Sequence, residues 1–501
     1  MASGPAHQSN LDTIVAQARR DRTKLDSAAM GTFSLTALGI ASVVGAGIFV
    51  TTGTAAAQYS GPAVVIAFVF AGFAALVTAR CYAEMAAMIP AAGSTYSYAY
   101  AAFGVFVAWF IGWDLLLEYL FAASTVAVGW SGYFVNLLDS LGIAFPNELA
   151  TPPFGAGAGW VNLPAVAIVA LTCAALVLGT RESARANNVM VVVKMTVLLL
   201  VIGVGIFYVS SRNWTPFVPK SEGGFGDFGW TGVLRGAGVV FFAYVGFDAV
   251  STAAAEAKNP QRTVPLGLIL TVVISTALYV AIGLVITGMV NYRDLDVADP
   301  ISRAIQQQGP QLTWLRDVVN VGAVVGLAST VLVTFYGQTR IFMRMSEDGM
   351  LPSAFGRISE RFRTPQFSTI VCAIVGGTVA GLVPINVLGE LVSIGTLLAF
   401  LIVCSGVMYL RHARPDLERP FRVPAVHVVG TVGILSALGL ILTLPPETWI
   451  RLAVWMAIGL CVFFFYARGH TAARFAQLRA DDAAQGAGTA EARGTAPGPG
   501  G

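Results

Sequence analysis

The chain has 501 residues, 56% of them apolar or aromatic and only 11% charged, against roughly 25% charged in an average soluble protein. A membrane-spanning helix takes about 20 mostly apolar residues, so the composition excludes a soluble enzyme with a small core and leaves room for a dozen spans. The net charge of +3 is scattered along the chain and gives no nucleic-acid footprint. Cys81, Cys173, Cys372, Cys404 and Cys461 lie far apart, with no CxxC and no neighbouring histidine, so neither a disulfide scaffold nor a zinc site is expected.

In chain order, residues 1–30 are polar and lack an apolar run with a cleavage site, which reads as a cytoplasmic segment rather than a signal peptide. Long apolar runs then predict twelve helices, at about 31–57, 62–88, 103–135, 161–179, 187–210, 230–256, 264–290, 313–340, 367–384, 388–410, 426–444 and 448–467, from hydropathy and periodicity. Residues 468–501, rich in Ala, Gly, Pro and Thr, read as a disordered tail.

Orientation follows from where Lys and Arg fall. With a cytoplasmic N-terminus, the inside collects Arg19, Arg20, Arg22, Lys24, Arg181, Arg185, Lys258 and Arg262. Arg340, Arg344, Arg357, Arg361, Arg363, Arg411, Arg414, Arg419 and Arg422 follow, and the tail adds Arg468, Arg474, Arg479 and Arg493. The outside receives only Arg212, Lys220, Arg293, Arg303, Arg316 and Arg451. Both termini are therefore expected inside, which an even number of spans requires.

Two spans carry interruptions. In the first, Gly45-Ala46-Gly47 breaks the apolar run 34–50; in the sixth, the segment 241–248 combines Gly246 with a mid-span aspartate, Asp248. Glycine weakens a helix and lets backbone approach a ligand, and an aspartate at that depth costs about 2.5–3.5 kcal/mol on insertion scales. A lone GxG more often marks close helix packing. Paired breaks at corresponding positions of two five-helix halves point instead to a transporter site. Half-helices starting at a break offer free N–H groups to a carboxylate, and those ending there offer carbonyls to an ammonium. A zwitterionic amino acid carries both charges, so amino acids are the expected substrate class.

Further ionisable residues lie deep in apolar runs. Lys194 is nine residues after Arg185, about 13 Å along a helix and nearly halfway through a roughly 30 Å core. Asp114 and Glu118 share a helical face, four residues apart. One reading is a structural ion pair between Lys194 and a carboxylate. The other has Lys194 filling a place that a cation would occupy, with a charge that responds to its surroundings, so that proton linkage is chemically reasonable. Glu118 and Asp248 are then candidates for reading the substrate side chain or carrying a proton, and Asp114 for polar glue. Glu84 is expected to meet Arg80, one turn earlier. Phe242 and Tyr244 sit at the second break, where an aromatic can gate a pocket. His7, His412, His427 and His470 lie in tails, loops or span ends, which excludes a histidine relay through the membrane.

The motifs GIASVVGAGIFV (39–50), EMAAMIPAAGSTYSY (84–98), GWDLLLEY (112–119), NNVMVVVKMTVLLL (187–200), FFAYVGFDAVSTAAAEAKNPQRTVP (241–265), FYGQTRIFMRMSEDGMLP (335–352) and RPFRVP (419–424) occur in this order. Over residues 30–425 the chain resembles bacterial members of the amino acid–polyamine–organocation superfamily, and within it the cationic amino acid transporter family. The resemblance implies an all-α polytopic protein of twelve transmembrane helices with a LeuT-like 5+5 inverted repeat. Spans 1–5 (31–210) and 6–10 (230–410) would form the repeats, helices 1 and 6 would be discontinuous, and 426–467 would supply two peripheral helices.

By the same resemblance, the substrate's main-chain groups would meet Val43, Val44, Gly45, Ala46, Gly47, Phe242, Ala243 and Val245. Glu118, Asp248 and Leu327 would line the side-chain pocket, with Leu327 favouring small neutral side chains over arginine. Lys194 matches a lysine standing in for a sodium ion, which implies proton-coupled uptake into the cell across a bacterial plasma membrane. The expected partners are amino acid, protons and the lipid bilayer, with a small membrane subunit left open. No cofactor beyond the proton gradient, no metal and no catalytic residue is expected. The competing reading is an amino acid or amine exchanger on the same fold; a non-transporting sensor or a membrane enzyme fits less well, since no appended soluble domain, HExxH, GxSxG or P-loop occurs in a plausible context.

Overall fold

The computed structural model describes residues 30–89, 94–154, 159–178, 180–252, 257–362 and 364–471. The expected N-terminal segment, most of the tail, residues 90–93 and 253–256, Arg363 and the side chains of Arg181 and Arg185 lie outside the described residues. Numbering helices of seven or more residues, the order is α1 Thr32–Val43, α2 Val64–Met88, α3 Ser94–Phe103, α4 Val105–Ser140 and α5 Leu163–Leu178. Then come α6 Thr180–Gly205, α7 Gly229–Val240, α8 Pro260–Met289, α9 Pro300–Gln306 and α10 Thr313–Glu347. α11 Gln366–Leu382, α12 Ile385–Ala413, α13 Val426–Thr443 and α14 Pro446–Val462 complete the chain. Among the described residues the only strand-like pairing is one isolated bridge, Met30 to Ala257.

Nine helical stretches of the described residues are long and apolar enough to cross a membrane, and α1, α5 and α11 are shorter apolar helices. Their outward faces carry Phe73, Leu171, Val192, Phe207, Ile374, Leu442 and Phe465, all at least half exposed. In water such a surface is untenable, and in lipid it is the required one. The protein is a multi-pass, all-helical membrane protein.

Several spans outrun the hydropathy signal. α10 continues through Arg340 and Arg344 to Glu347, because hydropathy ends at the charges whereas the backbone ladder needs only helix-compatible residues. Its 35 residues make about 52 Å, well beyond a 30 Å core. α6 begins at Thr180, seven residues before the expected start. α3 and α9 are additional helices that no apolar run announced. α10 packs along α4, α8 along α2 and α12 along α4, so α4 forms a central post.

Both expected breaks are present. α1 stops at Val43, Val44 leaves helical geometry with ψ of 87°, and helical backbone resumes at Gly47. α7 runs into a tight turn at Phe241–Tyr244, Val245 is extended with ψ of 134°, and Gly246 takes φ of +97°, a conformation that side chains disfavour.

Candidate substrate site at the two helix breaks

The two breaks touch. A Cβ on Gly47 would lie 2.3 Å from the Ala243 Cα, so only glycine lets the backbones meet there. Ser42 flanks Gly246 in the same way, at 3.3 Å from where a Cβ would stand. The polar atoms divide as the chemistry of broken helices requires. The amides of Gly45, Ala46 and Gly47, and of Gly246 and Phe247, donate to no acceptor among the described residues. Consecutive free N–H groups at the start of a half-helix suit an anion.

The carbonyls are already engaged. Lys194 Nζ, fully buried on α6, donates to Ala41 O at 2.5 Å, to Val44 O at 2.8 Å and to Thr330 Oγ1 at 3.2 Å. All three ammonium protons thus go to oxygens of α1, its break and α10, and Lys194 makes no ion pair among the described residues. The ion-pair reading of Lys194 with Asp114 or Glu118 does not hold; the alternative, an ammonium filling a cage of oxygens, describes the geometry. The Tyr279 hydroxyl on α8 lies 3.0 Å from Val43 O and 2.8 Å from Ala243 O, one carbonyl from each break.

Val43, Val44, Ala46, Gly47, Phe242 and Ala243 are buried, and Val245 is half-buried. Leu327 is buried on α10, three residues before Thr330, while the Trp130 indole of α4 donates to Val324 O at 2.8 Å and holds α10 against α4. Asp248 accepts from the Tyr119 hydroxyl at 3.3 Å, and Glu118, one residue earlier on α4, lies within electrostatic reach of both Asp248 and Asp114. Both Asp114 oxygens and Glu118 Oε2 are buried and have no hydrogen-bond partner among the described residues. Asp114 faces α12 at Gly395, whose Cβ would stand 3.0 Å from Oδ1.

Two expectations change. Tyr244 is no gate: its hydroxyl is pinned to Phe68 O at 2.9 Å and to Thr276 Oγ1 at 3.0 Å, tying the second break to α2 and α8. Glu84 does not meet Arg80. Its carboxylate is gripped by Arg411 Nε and Nη2, both at 2.7 Å, by the Val423 amide at 2.7 Å and, more loosely, by Arg419 Nε at 3.5 Å. A bidentate guanidinium outcompetes a neighbour on the same helix whose side chain is exposed on the outer face.

Sequence reasoning missed Tyr279, Thr330 and Arg411. A tyrosine or threonine inside an apolar helix carries no distinguishing signal, because its partner lies far away in the chain. Arg411 was legible as inner positive charge, but its pairing was not.

Two interrupted spans meeting inside the protein, with free amides on one side and clustered carbonyls on the other, define a membrane transporter of small solutes. The chain belongs to the amino acid permease family, whose sequence model matches residues 30–467, within the amino acid–polyamine–organocation superfamily; this is a family of transporters, not enzymes. It is 42% identical over 461 residues to the methylthioribose transporter of Bacillus subtilis, covering 92% of this chain and 97% of that protein. It is 43% identical over 446 residues to the branched-chain amino acid permease BcaP of the same organism, covering 88% and 93%. Its identity to a vacuolar cationic amino acid transporter of Arabidopsis thaliana is 36% over 394 residues, 76% of this chain and 63% of the relative.

Proposed function

We propose that the protein is a secondary active transporter that carries amino acids into the cell together with protons, by alternating access of a site between the two breaks. Twelve spans in two inverted five-helix repeats, 31–210 and 230–410, with 426–467 peripheral and both termini cytoplasmic in a bacterial plasma membrane, are part of this reading. The amides of Gly45, Ala46 and Gly47 would bind the substrate carboxylate, and main chain at Val43, Val44, Phe242, Ala243 and Val245 would surround its amino group. Glu118, Asp248 and Leu327 would face the side chain.

The observation that carries proton coupling is the Lys194 ammonium in its cage of Ala41, Val44 and Thr330 oxygens. A cage of hard oxygens is what an alkali cation requires, and here a group that can release a proton fills it. Gain and loss of that proton would tighten and release the link between α1 and α10.

The test is uptake of labelled alanine into proteoliposomes with and without an inward proton gradient, competed by leucine, arginine and methylthioribose. Gradient-stimulated uptake into empty vesicles supports symport. Uptake only into vesicles preloaded with amino acid would establish the exchanger instead. The 42% relative named for methylthioribose keeps that sugar, which has no amino group, in the panel; its competing better than every amino acid would replace the substrate class while leaving the transport mode intact.

A further inference from the structure

The inner end of α2 carries an arginine that the Glu84 network leaves unused. Arg80 is exposed and makes no hydrogen bond or ion pair among the described residues. The same holds for Arg422, which adjoins Val423, the residue whose amide donates to Glu84 Oε2 at 2.7 Å. Nearby charge is otherwise accounted for: Arg411 and Arg419 hold Glu84, Arg419 also caps the end of α12 through Leu410 O and Arg414 O, and Arg414 pairs with Asp416. With Glu418 added on the acidic side, the surplus positive charge is Arg80 and Arg422.

Arg80 ends a stripe on α2. Val69 and Phe73 are 49% and 52% exposed, and Phe73 and Arg80, seven residues apart, share one helical face. α13 packs beside this stripe; a Cβ on its Gly433 would stand 3.4 Å from Val77 Cγ1. Arg80 lies 16 residues from the start of α2, about 24 Å along the helix, just within a roughly 30 Å core. From there an arginine snorkels to the headgroup layer with its stem on apolar surface.

We propose that the lipid-facing stripe of α2, beside α13, binds an anionic phospholipid, with an acyl chain against Val69 and Phe73 and the headgroup phosphate held by Arg80 and Arg422. Two unpaired guanidinium groups match that lipid in charge, one ending the apolar stripe and the other adjoining the residue whose amide meets Glu84, one turn further along α2. Neither arginine belongs to the substrate site, so the site is independent of what the protein transports.

The test uses the purified full chain in detergent, delipidated and then supplemented with phosphatidylglycerol, phosphatidylcholine or inorganic phosphate, read by thermal unfolding and by native mass spectrometry of retained lipid. The parent should retain phosphatidylglycerol in preference to phosphatidylcholine. Each arginine removed should lower that preference about fivefold, so the double variant Arg80→Gln, Arg422→Gln should lose most of it. The single Arg422→Gln, in an exposed loop, gives the same reading if the double variant folds poorly, and Arg340→Gln on α10 should change nothing. Undiminished preference in the folded variants overturns the proposal. So does stabilisation by inorganic phosphate equal to that by phosphatidylglycerol, or equal retention of the two lipids by the parent.

Discussion

The Tyr279 hydroxyl stands 2.8 Å from the carbonyl oxygen of Ala243, and on its other side 3.0 Å from that of Val43. One O–H proton faces two acceptors, one from each interrupted helix. The cluster therefore joins the breaks while keeping acceptor capacity unused, which favours an ammonium nearby. Tyr279→Phe keeps the ring packing against Phe68 and Tyr244, at centroid distances of 5.3 and 5.4 Å, and removes the one donor that the two carbonyls share. That costs about 1–3 kcal/mol. The expected outcome is a folded protein with substrate affinity weakened about tenfold, checked by equilibrium binding of labelled substrate; unchanged affinity would remove Tyr279 from the site.

Lys194→Met preserves length and apolar stem but empties the oxygen cage at Ala41, Val44 and Thr330. Uptake driven by a proton gradient should vanish, while size-exclusion behaviour and lipid retention stay those of the parent. Uptake with the parent's pH dependence in this variant would rule out Lys194 as the coupling group.

Leu327→Ser shortens a fully buried side chain three residues from Thr330. Leucine truncation in a core costs about 2–5 kcal/mol, and the new hydroxyl can be satisfied by the carbonyl four residues earlier. The substrate range should widen toward larger and cationic side chains, read as arginine competing for alanine uptake. Identical competition profiles in variant and parent would mean that Leu327 does not line the pocket.

Glu84→Gln removes the charge that Arg411 grips at 2.7 Å and that Arg419 approaches at 3.5 Å. Stripping one partner from a buried pair costs about 3–5 kcal/mol. Thermal unfolding in detergent should show a clearly lowered midpoint. Because the residues are coupled, the double variant Glu84→Met, Arg411→Met should lose less than the two single changes added together. Additive losses would mean that Glu84 and Arg411 do not act as a pair.

Much of this protein is legible in its sequence. Runs of apolar residues are local and their length is set by the membrane, so composition and hydropathy alone give a multi-pass helical protein. The breaks at Gly45, Gly47 and Gly246 are legible for the same reason, since glycine acts on the backbone where it stands. Lys194 and Asp248 stand out because ionisable groups in a span are costly and therefore rare. Tertiary structure decides who answers whom. Only the packing of α6 against α1 and α10 shows that Lys194 turns to Ala41, Val44 and Thr330 rather than to Asp114 or Glu118. Only the packing of α12 against α2 shows that Glu84 binds Arg411, 327 residues away, and not Arg80 one turn back. Hydropathy and charge are properties of single residues or short windows, whereas a hydrogen-bond partner is fixed by the register of helices packed from distant parts of the chain.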